Sequence, residues 1–191
     1  MEMLLDLAVQ FWQFTVLGIL ILIGFAINQL DKTSTPILFQ YKELPSMKPL
    51  RIPTSDKGFW GAIMLWLLGS RQWEITKDWH FSVHGAPMVI PKGFQFDGAS
   101  VPKFLATFLS PVGVLLVGGL VHDYIYKHRV LLKKDKTVSK IYTQKEADQL
   151  FRDIGIAVNG FVFMNYLAYY ALRLAGFVAW SKHRKAEEKT K

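Results

Sequence analysis

An apolar run near the middle of the chain ends in GGLVHDYIYKHR, residues 118–129. His122, Asp123 and Tyr126 stand together there, and such side chains can move protons or hold a cation. On an α-helix His122 and Tyr126 are four positions apart and share a face, while Asp123 points about 100° away. A later segment, QKEADQLF, carries Asp148 on the flank of an apolar stripe. A carboxylate that accepts an imidazole N–H fixes the tautomer and raises the basicity of the other nitrogen. His122 is therefore a candidate general base, with Asp148 as its orienting partner and Tyr126 as a supporting hydroxyl.

Asp123 is left for another task. A hard cation such as Ca²⁺ takes carboxylate and backbone carbonyl oxygens, and the loop Phe96-Asp97-Gly98-Ala99-Ser100 precedes the helix. Asp97, Gly98 and Asp123 are thus candidate ligands, and a cation held there would polarise an ester carbonyl. The same residues admit a structural reading. A helix leaving the core turns polar, Asp97 suits a turn, and a buried His122/Asp123/Asp148 network could simply join two helices.

The elements that must position these groups follow from periodicity and punctuation. Trp73 and Ile75, Phe81 and Val83, and Met88 and Ile90 alternate around Gly85-Ala86-Pro87, which predicts a small β-hairpin or meander, with a third short strand at Phe94–Phe96. Ser110-Pro111 reads as an N-cap followed by proline at the first helical position, opening a helix over about 112–128. Thr143 and Glu146 form a capping box for a second helix, whose Ala147, Leu150, Phe151 and Ile154 are spaced for one buried face. Residues 160–180 form a third helix, almost wholly apolar except for Asn165 and Arg173. The expected fold is α+β: an N-terminal transmembrane helix, then the hairpin or meander, then a three-helix core.

The ends of the chain point to a membrane. Residues 7–30 carry no charge, and a spanning helix needs only about 20 residues. A cleaved signal peptide is the alternative, but the leader MEMLLD has no Lys or Arg. Lys32, Lys42, Lys48 and Arg51 follow, which favours a cytoplasmic C-terminal domain at the bacterial inner membrane. The organisation is thus an anchor (1–30), a Pro-rich linker or strap (31–57), an α+β domain (58–180) and a basic tail (181–191). The formal charge of +8 beside an apolar anchor makes anionic lipid headgroups the expected partner and nucleic acid an unexpected one. For residues 160–180 a core or membrane-surface helix is expected rather than a second span, because Arg173 at the bilayer centre would cost roughly 2.5–3.5 kcal/mol. The absence of cysteine excludes disulfides and thiolate metal sites.

Two resemblances add to this reading. PKGFQFDGASVPKF, LVHDYIY, QKEADQLF and the closing LAGFVAW resemble an uncharacterised family of small bacterial and phage proteins, with a GF-x-x-DGAS-x-P loop, HD-x-x-Y and EAD-x-x-F. That resemblance covers about 73–180 and implies a bacteriophage or prophage origin. More distantly, the order of loop, HD-x-x-Y helix and later Asp helix is similar to the phospholipase A2 superfamily. This second resemblance implies His122 as the base activating water, Asp123 and the Asp97/Gly98 loop as calcium ligands, and Tyr126 supporting an Asp148 that orients His122. A helical HD-type phosphohydrolase is disfavoured, since His80 and His84 lie in the strand-like region. The non-enzymatic alternative is a membrane protein that binds a host or phage envelope partner through its surface.

Overall fold

The computed structural model describes residues 12–30, 37–52, 54–68, 72–97 and 115–188. Its architecture is mixed α+β. In chain order the elements are α1 (Trp12–Leu30), β1 (Phe39–Tyr41), β2 (Met47–Pro49), a 3-10 turn (Ser55–Lys57) leading into α2 (Gly58–Leu68), β3 (Trp73–Ile75), β4 (Trp79–Val83), β5 (Ala86–Ile90) and β6 (Gln95–Phe96). Then come α3 (Leu116–His128), β7 (Val130–Lys133), β8 (Val138–Ile141), α4 (Gln144–Asn159) and α5 (Val162–Glu188).

The strands form two antiparallel sheets, one of order β1-β4-β5-β7-β8 and one of order β2-β3-β6. The predicted alternation holds in β4, where Trp79, Phe81 and Val83 are buried. The turn between β4 and β5 is His84-Gly85, not Gly85-Ala86-Pro87. Both turn residues have positive φ, 51° and 76°, as a two-residue hairpin loop requires to match strand twist. Two further differences come from long-range pairing. The Pro-rich stretch read as a linker contributes β1 and β2, which pair with β4 and β3, and Trp79 Nε1 donates to the Glu43 carbonyl at 2.8 Å. The Lys-rich stretch read as a loop is the hairpin β7–β8, so the helices are not consecutive.

α3 ends at His128 as expected; its predicted opening at Ser110-Pro111 lies outside the described residues. α4 opens with the predicted capping box, Thr143 and Glu146 each holding the other's backbone N–H. Its Ala147, Leu150, Phe151 and Ile154 are all buried. Gly160, read as the start of the third helix, is instead the C-cap of α4, at φ 69°. α5 then continues to Glu188, so most of the expected basic tail is helical.

Among the described residues, the helix long and apolar enough to cross a membrane by length and composition is C-terminal α5, with 28% of its window buried, and not the N-terminal helix. α1 packs against it: a Cβ on Gly24 would lie 2.7 Å from the Phe163 ring.

The α4–α5 contact depends on Gly155. A Cβ there would overlap Asn165 Oδ1. Asn165 is fully buried, and its Nδ2 donates to Asn159 Oδ1 at 2.7 Å and to the Phe161 carbonyl at 2.8 Å. Gly155→Ala is expected to destabilise the protein by about 2–3 kcal/mol, through overpacking or a stranded amide. In denaturation of Gly155→Ala, Asn165→Ala and the double variant, the double variant should lose at least about 1 kcal/mol less than the sum. Additive costs would show that Asn165 is not what meets the added methyl.

Candidate functional site

The lower half of α3 faces α4, and this contact brings His122 to Asp148. His122 Nε2 lies 2.9 Å from Asp148 Oδ1, and the Tyr126 hydroxyl donates to the same oxygen at 2.6 Å. The i,i+4 spacing does as expected, setting the imidazole and phenol rings side by side with centroids 4.0 Å apart. The other carboxylate oxygen, Oδ2, accepts from Arg173 Nη1 at 2.7 Å. Asp148 thus collects one group from each end of α3's polar face and one from α5. It has no solvent exposure, and His122 is only 2% exposed.

Burial alone would raise the Asp148 pKa, but the bonds from His122, Tyr126 and Arg173 outweigh it and hold the carboxyl below its ordinary value. Tyr126 is shifted up by burial and by its bond to Asp148, so its hydroxyl stays protonated. For His122, burial opposes the charge, yet Asp123 and Asp148 prevail and raise its pKa. Arg173 gives Asp148 a permanent cation, so the carboxylate does not need a protonated imidazole for compensation.

Asp123 occupies the adjacent face. Its Oδ1 is 3.7 Å from His122 Nδ1, beyond hydrogen-bond distance. Its Oδ2 is buried and has no hydrogen-bond partner among the described residues. Burial and the negative charge of Asp97 push its carboxyl up to about 6, against the pull of His122 and Lys127. Asp97 and Asp123 line one cavity of about 250 Å³, with Gln72, Tyr126, Lys127, Ala179, Lys182 and His183 on its remaining walls. The sequence-predicted ligands Asp97 and Asp123 are therefore neighbours. Gly98 lies outside the described residues. Among the described residues no group of three or more His, Asp or Glu side chains is arranged around a metal position.

Three contributors escaped the sequence reading. Arg173 was weighed only as a cost within an apolar helix, although an isolated cation in such a helix is itself a signal that a carboxylate awaits it. Gly176 lets α5 approach, since a Cβ there would lie 2.5 Å from the Tyr126 hydroxyl oxygen. Arg184 Nη2 donates to the carbonyls of Tyr126 at 2.6 Å and Lys127 at 3.1 Å, satisfying the C-terminal end of α3.

A family model described as "Protein of unknown function (DUF1353)" matches residues 73–172, just over half of the chain. The matched span contains His122, Asp123, Tyr126 and Asp148, and it ends one residue before Arg173. No curated protein and no solved structure matches the chain.

Proposed function

The chain belongs to the DUF1353 family of unknown function, and from the site it carries we propose a membrane-associated hydrolase of lipid esters in which His122 is the general base. The observation that supports this is the division of the imidazole between two carboxylates. Nε2 is tied to Asp148, while Nδ1 faces Asp123 beside the cavity. With Nε2–H donating to Asp148, Nδ1 carries the lone pair and can take a proton from water. Asp148 then stabilises the imidazolium, Tyr126 fixes the orientation of Asp148, and Arg173 neutralises it.

The buried, unpartnered Oδ2 of Asp123 and the neighbouring Asp97 fit a hard cation such as Ca²⁺. Asp123 and Asp97 would hold it, with carbonyls of the loop that begins at Gly98 as further ligands. When bound, such a cation would polarise the ester carbonyl. This is the arrangement that the resemblance to the phospholipase A2 superfamily implies. α1 serves as the anchor in this reading, and the basic residues after it favour a cytoplasmic domain.

The competing reading is a non-catalytic membrane protein that binds an envelope partner, with His122 a structural link. The near-complete burial of His122 favours it. Hydrolysis of phosphatidylglycerol in liposomes by the full chain, with calcium and with chelator, separates the two. Turnover is expected with calcium only, and Asp123→Asn should lose both turnover and the calcium-induced rise in melting temperature. No turnover in either condition, with an unmoved melting temperature, would favour the structural link.

A further inference from the structure

α5 passes the length and composition test for a membrane span, yet one of its faces is committed to the domain along most of its length. Asn165 is buried against Asn159, Arg173 pairs with Asp148, and Arg184 holds the end of α3. A helix tied in this way to a domain with open sheet edges cannot cross hydrocarbon without carrying unsatisfied backbone with it.

The opposite face is a different surface. Tyr170, Leu174, Phe177 and Val178 are 57%, 78%, 57% and 61% exposed. Their i, i+4, i+7, i+8 spacing makes one continuous stripe. The stripe runs into a shallow groove of about 570 Å³ floored by Phe177, Val178 and Ala186 and rimmed by Ser181, Lys182 and Lys185. At the other end of α5, α1 packs by Gly24 on Phe163 and exposes Ile21, Leu22 and Phe25. A contiguous apolar stripe edged by lysines is the pattern of a helix lying in a lipid interface, and the chain's charge of +8 selects for anionic lipid.

We propose that α5 does not cross the bilayer but lies in its plane, docking the domain on an anionic bilayer surface. The Tyr170–Val178 stripe enters the acyl boundary, and Lys182 and Lys185 meet headgroup phosphates. Lys182 also lines the cavity that holds Asp97 and Asp123, so docking brings the mouth of that cavity to headgroup depth. The orientation holds whether or not the site is hydrolytic.

The chain has no cysteine, which makes single-site labelling direct. Tyr170→Cys, Leu174→Cys and Val178→Cys full-length chains, each nitroxide-labelled, would be reconstituted into mixed phosphatidylglycerol/phosphatidylcholine vesicles. Label depth would then be read from the relative accessibility to oxygen and to a nickel chelate. All three labels are expected at one shallow depth, about 5–10 Å into the interface. Lys182→Glu with Lys185→Glu should return them toward water, each lysine contributing about fivefold in partitioning. A depth difference near 12 Å between positions 170 and 178 is what a crossing helix gives at 1.5 Å per residue, and it would overturn the proposal. So would fully aqueous labels, or dipolar broadening showing that a second copy covers the stripe. Hydrolysis assayed in the same vesicles reports separately on catalysis.

Discussion

His122→Gln lowers kcat for ester hydrolysis by about 10²–10⁴-fold, the range a positioned general base supplies, while leaving KM and the melting temperature nearly unchanged. Glutamine is chosen because its amide can still donate to Asp148, so the carboxylate keeps its partners and the packing volume is largely retained. Alanine would confuse loss of the base with a cavity beneath the Phe151 ring, which sits 5.5 Å from the imidazole. The pH profile gives a second readout. Asp123 and Asp148 hold the His122 pKa above its ordinary value, and the base acts only when neutral. The activity of the wild-type chain should therefore climb with pH through a limb displaced above the usual histidine range, and the variant should lack that limb. If His122→Gln hydrolyses as well as the wild type, the general-base role is wrong. If it fails to fold, the imidazole is a structural link.

Asp148→Ala is expected to cost about 3–5 kcal/mol of stability, the penalty for removing one partner from a buried ion pair. At about 2–4 °C per kcal/mol for a chain of this size, that is a fall of roughly 10 °C in melting temperature. The magnitude follows from what is left behind: an imidazole, a phenol and a guanidinium that all pointed at one carboxylate. Arg173 is the most costly of these, although it is partly exposed and can recover some water. Asp148→Ala combined with Arg173→Met should accordingly recover part of the loss, because the stranded cation is gone. A single variant as stable as the wild type would mean that Asp148 is not the keystone of the helical layer.

The helical part of the site was legible because its rules are local. The i,i+4 relation of His122 and Tyr126, the Thr143/Glu146 box and the buried stripe of α4 each depend on residues within one or two turns. The alternation of β4 was legible for the same reason. What stayed hidden is set by partners distant in sequence. β1 and β2 are three residues each and become strands only by pairing with β4 and β3. β7 is an apolar triplet, Val130-Leu131-Leu132, among lysines, and its hairpin closes through Asp135, which accepts from the Thr137 N–H at 3.0 Å and from its hydroxyl at 2.6 Å. Arg173 lies 25 positions from the carboxylate it serves, and nothing around it indicates a partner. Gly155 and Gly176 matter by what they lack, which a pattern of apolar and polar letters does not register.

The convergence of three helices on Asp148 also has a temporal side. Synthesis proceeds from the N-terminus, so His122, Tyr126 and Asp148 are all made before Arg173, and Arg184 comes later still. Until α5 has been added and docked, the carboxylate lacks its permanent counter-ion and the end of α3 lacks its clamp. Any capacity for hydrolysis thus matures last, which leaves the nascent chain inert beside the membrane into which it is being built.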